Sequence, residues 1–88
     1  MSRIETRVDL YGNQIGSQGA QYLATALLHN KILSDLELYD NNIGSQGAEH
    51  IAIALQQNKT LISIDLNSNH IGPQGVQYLA KALRRNQV

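Results

Sequence analysis

The chain has 88 residues, seven Lys plus Arg against seven Asp plus Glu, and no cysteine. The balanced charge gives no overall field that would attract nucleic acid or a membrane surface, and the absence of thiols excludes disulfides and cysteine-based zinc or nucleophile sites. No apolar run approaches the length of a signal-peptide core or a membrane span. We therefore expect a soluble cytoplasmic protein, with a secreted fragment as the alternative.

A seven-residue phrase, Asn-x-Ile-Gly-x-Gln-Gly, occurs three times and begins at Asn13, Asn41 and Asn69. Successive copies are 28 residues apart (41 − 13 and 69 − 41). A fixed period of this size predicts one supersecondary unit stacked on copies of itself. We expect a single domain over residues 1–88, with repeats at approximately 5–32, 33–60 and 61–88.

Each unit begins with a predicted strand. Apolar and polar residues alternate at 8–11, 36–39 and 64–67, which is the period of a strand with one buried face. The chain then leaves the strand at Asn13, Asn41 or Asn69, whose amide groups both donate and accept hydrogen bonds. An asparagine at the same place in every unit is expected to form a buried ladder between neighbouring turns.

A helix is predicted next in each unit. Gly16, Gly44 and Gly72 precede Ser17, Ser45 and Pro73, and proline favours the first helical position. We therefore predict these glycines as N-caps, with helices that begin near residues 17, 45 and 73. Apolar residues then recur at helical spacing: Ala20, Leu23, Ala24 and Leu27; Ala48, Ile51, Ala52 and Leu55; Val76, Leu79, Ala80 and Leu83.

Two further positions recur within the helices. Gly19, Gly47 and Gly75 lie in the first turn, where glycine weakens a helix, so we expect a close approach between the helix and the adjacent unit. Asn30, Asn58 and Asn86 are expected to end the helices in the left-handed conformation that Asn tolerates. A strand, a loop, a helix and a loop thus fill 28 residues, and successive strands must pair in parallel.

The phrase Leu-x-Leu-x-x-Asn-x-Ile-Gly-x-x-Gly-Ala, followed by Leu/Ile-Ala-x-Ala-Leu, resembles the leucine-rich repeat of the ribonuclease-inhibitor type, which also occurs in the sensor domains of nucleotide-binding immune receptors. The resemblance runs from about Val8 to Asn86. It implies an α/β solenoid, a horseshoe segment with parallel strands on the concave face and helices on the convex face. It also implies a non-catalytic, protein-binding scaffold without a cofactor.

In such a horseshoe the polar strand positions point into the concave surface. Asp9, Glu37 and Asp65 share one column of the sheet, and Tyr11 and Tyr39 share the next. Tyrosine is enriched at binding hot spots, so we predict a recognition surface for a protein partner that carries Lys or Arg. The alternative is that these are ordinary solvated strand residues. The candidate partner-binding residues are Arg7, Asp9, Tyr11, Asp35, Glu37, Tyr39, Asp40, Asp65 and Asn67.

Catalysis is the competing class of function. Neighbouring carboxylates can perform acid–base chemistry, but an open sheet excludes little water, and no nucleophile–base pair or metal-ligand spacing is present in the sequence. His29, His50 and His70 occupy different positions of the unit and should not converge. We therefore expect no enzyme, no bound metal and no cofactor, with weak cation binding by the carboxylate column as a minor alternative.

The two ends of the array raise a separate expectation. Stacked repeats bury their faces only against neighbours, and terminal units normally carry polar caps, which are not recognisable here. The chain is then either a fragment of a longer array or is completed by another copy of itself, through end-to-end or edge-strand contact. We favour self-association, and the alternative function is therefore a structural module whose open ends mediate oligomerisation.

Overall fold

The computed structural model describes residues 6–85, and side chains as far as residue 82. Strands and helices alternate along the chain in three units of one strand and one helix. The elements are β1 (Arg7–Asp9), α1 (Gly16–His29), β2 (Asp35–Glu37), α2 (Gly44–Gln57), β3 (Ser63–Asp65) and α3 (Gly72–Arg85). None of the helices in this part of the chain is long and apolar enough to cross a membrane.

The three strands form one parallel sheet in the order β1-β2-β3. Each residue pairs with the residue one period away, so that Val8, Leu36 and Ile64 stand in register. The helices pack in the same order, α1 on α2 and α2 on α3. This confirms the predicted α/β solenoid of three repeats, with all strands along one side of the molecule.

The core lies between the sheet and the helices, and it is most complete in the central repeat. Leu36, Leu38, Ile43 and Ile51 are at most 1 % exposed. The equivalent residues of the outer repeats, for example Leu66, are only partly buried. The difference follows from the architecture, because a repeat buries its flat faces only against a neighbouring repeat.

The helices begin one residue earlier than predicted. Gly16 and Gly44 are the first residues of their helices, and Ile15 and Ile43 hold the capping position without a side-chain hydrogen bond. The prediction of glycine N-caps was therefore wrong. The glycines are needed because φ is +69° at Gly16, +73° at Gly44 and +71° at Gly72, a left-handed conformation that glycine adopts without a Cβ penalty.

The asparagines after the helices also act differently from the prediction. Asn30 and Asn58 hold the C-cap positions, but their backbone is extended, with φ of −81° and −75°. The predicted left-handed conformation is wrong. Instead, the Asn30 Oδ1 accepts the N–H groups of Ile32 (3.0 Å) and Leu33 (2.7 Å), so the side chain shapes the loop into the next strand. Asn86 lies outside the described residues.

The apolar helix positions divide between buried and exposed. Ala20, Ala24 and Leu27 of α1 are buried, whereas Val76 of α3 is 59 % exposed and Ala80 is also exposed. The expected close approach at the first-turn glycines is confirmed for α2. A Cβ atom on Gly47 would lie 3.1 Å from the Ala20 Cβ and 3.3 Å from the Ser17 Cα.

Candidate functional site

A ladder of buried asparagines fixes the point where each strand ends. Asn41 is 1 % exposed, and its Oδ1 accepts the N–H groups of Asn13 (2.7 Å) and Ile15 (3.4 Å). Its Nδ2 donates to the carbonyl oxygens of Leu10 (2.8 Å) and Leu38 (3.1 Å). One amide group therefore satisfies backbone groups in two successive repeats.

Asn69 makes the same contacts with the central repeat. Its Oδ1 accepts the N–H groups of Asn41 (2.8 Å) and Ile43 (3.2 Å), and its Nδ2 donates to the carbonyl oxygen of Leu38 (2.7 Å). Asn13 begins the ladder and is exposed. Its Nδ2 bonds within its own turn to the carbonyl oxygen of Leu10 at 2.9 Å. The ladder holds rigid the strand ends from which the candidate side chains project.

The strand side of the molecule carries a column of carboxylates in register. Asp9 pairs with Glu37, and Glu37 pairs with Asp65. Each carboxylate accepts the backbone N–H of the residue two positions later. The donors are Tyr11 to Asp9 at 3.0 Å, Tyr39 to Glu37 at 3.1 Å and Asn67 to Asp65 at 2.9 Å. The carboxylates thus orient the backbone at the next column.

The carboxylate column is partly neutralised within the chain. The Arg7 guanidinium lies 2.9 Å from the Asp35 Oδ2 and 3.8 Å from the Glu37 Oε2. The Arg7 side chain is 56 % exposed, so this contact contributes at most about 1 kcal/mol to stability. The contact also places a cation at the start of the strands. This positive charge relieves the repulsion between neighbouring carboxylates.

The next column is aromatic. The rings of Tyr11 and Tyr39 stack with centroids 5.1 Å apart and an angle of 7° between the ring planes. Tyr11 is 58 % exposed, and Tyr39 is half-buried. Stacked rings at this distance attract one another beyond the burial of their area. The pair therefore forms a preorganised, amphipathic surface whose ordering costs little on binding.

The predicted candidates lie on one connected surface, which we call the strand face. Asp40 follows Tyr39 with φ of +60°, and its N–H donates to the Asn67 carbonyl oxygen at 3.1 Å. The strand face consists of Arg7, Asp9, Tyr11, Asp35, Glu37, Tyr39, Asp40, Asp65 and Asn67.

Ser34 supports this surface and was missed by the sequence prediction. It is 4 % exposed, its Oγ accepts the Thr6 N–H at 2.9 Å, and its hydroxyl donates to the Thr6 carbonyl oxygen at 3.1 Å. These bonds fix the start of β1 beside β2. The repeat carries no signal for them, because the equivalent position in the third unit is Ile62.

The strand face holds a small hollow of about 90 Å³ beside Asp35, lined also by Ser34, Ile62 and Ser63. A groove of about 580 Å³ lies elsewhere, between the first turns of α1 and α2, and none of the strand-face residues lines it. Within residues 6–85, no group of three or more acidic or histidine side chains is arranged to hold a metal ion. The geometry of the strand face suits the recognition of an extended or convex surface better than the enclosure of a small molecule.

Comparison with known proteins gives one family. The family model described as Leucine Rich repeat matches residues 6–24, 29–52 and 57–80, which together make up well over half of the chain. Each matched segment covers one strand and the larger part of the helix that follows it. No curated protein matches the chain.

Proposed function

Because the chain belongs to the leucine-rich repeat family, whose repeats are generally protein–protein interaction modules, we propose that it is a non-catalytic scaffold that binds a protein partner on the strand face. Within the family, we assign it to the ribonuclease-inhibitor type. The 28-residue period and the Ile-Gly-x-x-Gly-Ala turn support that assignment. We also propose that it acts in the cytoplasm, without a cofactor.

The observation that carries the proposal is the stacked pair Tyr11 and Tyr39 beside the carboxylate column. Tyrosine contributes strongly at interfaces, because it offers a large contact area with few rotatable bonds. Here both rings are already held parallel, so a partner side chain meets an ordered surface. A planar guanidinium is well suited to this surface, since it stacks on aromatic rings and pairs with carboxylates at the same time.

The charge of the strand face supports a basic partner. Five of its residues are acidic and only Arg7 is basic. Arg7 pairs with Asp35 and Glu37, whereas Asp9, Asp40 and Asp65 have no ion pair within residues 6–85. Asp9 and Asp65 flank Glu37 in the carboxylate column, and Asp40 directly follows Tyr39. A partner with Lys or Arg would complement them and would associate faster at low salt.

The open geometry favours binding over catalysis. The strand face excludes little water, and catalysis by neighbouring carboxylates depends on a site that holds a substrate at a defined distance from both groups. The carboxylates of the column also accept backbone N–H groups at the strand ends. Those bonds give the acidic residues a structural role beside the proposed one.

Selection of peptides tests the proposal. Peptides selected from a random library on the immobilised 88-residue chain should be enriched in Arg or Lys. Tyr39→Ala combined with Glu37→Gln should weaken their binding roughly 30-fold or more, which corresponds to about 2 kcal/mol for a hot-spot side chain. Glutamine keeps an acceptor for the Tyr39 N–H and removes only the charge. The dissociation constants are measured by titration calorimetry.

A matched control changes the same residue types on the helix side. Tyr22 is 69 % exposed on α1 and Glu49 lies on α2, so Tyr22→Ala with Glu49→Gln should leave binding unchanged. Tyr11→Ala is a second strand-face variant, chosen because the exposed ring contributes less to folding. The proposal fails if both strand-face variants bind as wild type does, or if only the helix-side variant loses affinity.

A further inference from the structure

Tyr11 stacks on one face of the Tyr39 ring, and the other face of that ring is directed toward β3, because β2 lies between β1 and β3. The column continues in register into the third repeat. The Asp40 N–H donates to the Asn67 carbonyl oxygen (3.1 Å), just as the Gly12 N–H donates to the Tyr39 carbonyl oxygen (3.0 Å). Asn67 is therefore the next member of the column after the two tyrosines.

The Asn67 side chain is too short to cover this second face of Tyr39. The amide oxygen and nitrogen of asparagine are bonded to Cγ, so they reach only to the level of the first ring carbons of a tyrosine in the same column. The outer part of the Tyr39 ring extends beyond them. Asn67 is exposed, and only its backbone groups form hydrogen bonds within the described part of the chain. We call the position above Asn67, against the outer Tyr39 ring, the open column position.

The carboxylate beside the open column position is that of Asp65. Its Oδ1 accepts the Asn67 N–H at 2.9 Å, and its Oδ2 has no hydrogen bond or ion pair within residues 6–85. Glu37 differs, because its Oε1 accepts the Tyr39 N–H at 3.1 Å and its Oε2 lies 3.8 Å from Arg7. The uncovered ring face therefore lies next to a carboxylate whose charge no cation of the described chain neutralises.

We propose that an arginine side chain of the partner occupies the open column position, an assignment that rests on the proposed function and adds the residue type and its place. The guanidinium lies parallel to the Tyr39 ring, as the third planar group of the column. Its N–H groups donate to the Asp65 Oδ2 and to the Asn67 Oδ1. Stacking, charge and hydrogen bonds then act on one side chain at one place.

This position selects arginine over lysine. A guanidinium is planar and weakly hydrated, so it can lie flat on an aromatic face while its edge donates hydrogen bonds. A lysine ammonium can pair with Asp65, but it is a compact, strongly hydrated charge without a plane that could stack. Asn67 makes the selection possible, because a tyrosine at this place would fill the position, as Tyr11 and Tyr39 do in the first two repeats.

Replacement of arginine by lysine in a bound peptide tests the stacking. The probe is an arginine-containing peptide from the selection described above, with each arginine replaced in turn. At one arginine, the replacement should weaken binding to the wild-type chain roughly 10-fold in titration calorimetry. Tyr39→Leu should abolish this preference, because leucine keeps apolar bulk without a flat face. Tyr11→Leu is the matched control and should weaken both peptides alike, so that their ratio is kept.

Replacement of the same arginine by citrulline tests the ion pair, because citrulline keeps the planar shape without the charge. The citrulline peptide should bind the wild-type chain roughly 10-fold more weakly than the arginine peptide. Asp65→Asn should remove most of this difference, while asparagine still offers an acceptor to the Asn67 N–H. Asp9→Asn is the matched control, since Asp9 accepts the equivalent N–H from Tyr11, and it should keep the full difference. Circular dichroism verifies that each variant folds.

The possible outcomes distinguish this assignment from the proposed function. Peptides that lose affinity for the Tyr39→Ala, Glu37→Gln chain but show no preference for arginine over lysine overturn the assignment and leave the proposed function in place. Loss of the preference in Tyr11→Leu, or of the charge dependence in Asp9→Asn, places the arginine elsewhere on the strand face and also overturns the assignment. A selection that yields no basic peptides overturns both.

Discussion

At the scale of single residues, Asn41 shows how one side chain joins two repeats. Its four main hydrogen bonds reach backbone groups at Asn13, Ile15, Leu10 and Leu38. All of these backbone groups lie where the chain turns inward from a strand. At this point they can form the hydrogen bonds of neither a sheet nor a helix. An amide is the side chain that supplies a donor and an acceptor together at this point.

Removal of this amide should destabilise the fold strongly. Asn41→Ala leaves buried N–H and carbonyl groups without partners, at about 1–3 kcal/mol per group, and we expect a loss of about 3 kcal/mol in the free energy of unfolding, measured by urea denaturation. Asn13→Ala is the control and should cost less than about 1 kcal/mol, since Asn13 is exposed and bonds only within its own turn. Equal losses for the two variants would contradict the role given to the ladder.

The residue scale also shows what a repeated sequence does and does not reveal. The ladder was predictable because the same residue type at the same place in a stack must meet its own copies. The way in which Asn30 and Asn58 end their helices was not predictable. Asparagine can cap a helix either by its backbone conformation or by its side chain. For Asn30, only the positions of the Ile32 and Leu33 N–H groups show that the side chain has this role, because both groups donate to its Oδ1.

At the scale of elements, glycine in the first turn sets the distance between helices. A side chain at Gly47 would meet Ile43 of its own repeat, together with Ala20 and Ser17 of the preceding repeat. Ile43 is fully buried and cannot move aside. The close approach of α1 and α2 therefore depends on the missing Cβ atom. The packing between the two helices offsets the poor helix propensity of glycine.

Gly47→Ala should destabilise the chain although alanine favours helices. Overpacking of a tight contact costs about 1–3 kcal/mol, more than the gain of up to about 1 kcal/mol in propensity. Gly19→Ala meets only Ile15 of its own repeat, with no contact from a neighbouring helix. We expect Gly47→Ala to be the less stable variant by about 1 kcal/mol in thermal unfolding. A greater loss for Gly19→Ala would show that the helix contact does not determine the cost.

The elements themselves were largely predictable, because strand alternation and helix periodicity occur three times in the same phase. Two features of the helices were not predictable from the sequence. The buried Ala54 and Ala82 lie on the helix face toward the preceding repeat, which a single apolar stripe does not indicate. The exposure of Val76 follows from its place in the array, since the same position is buried in both earlier repeats.

At the scale of the whole molecule, stacking explains why the fold is easier to predict than the partner. Residues that recur are those that each repeat needs in order to pack on the next. The strand face also carries positions that differ between repeats, since Asn67 stands where the first two repeats have Tyr11 and Tyr39. The register that brings them together follows from the period, but the ion pairs of Arg7 with Asp35 and Glu37 depend on side-chain positions that no repeat specifies.

The most direct test of the proposed function is a map of where a selected basic peptide binds. Titration of the peptide into the ¹⁵N-labelled chain should shift the amide resonances of Tyr11, Glu37, Tyr39 and Asn67. The resonances of α1 and α2 residues on the opposite side should stay in place. The shifts should weaken as salt is raised, because exposed charges are screened. Shifts confined to the helices, or spread evenly over the chain, would contradict the assignment of the strand face as the binding surface.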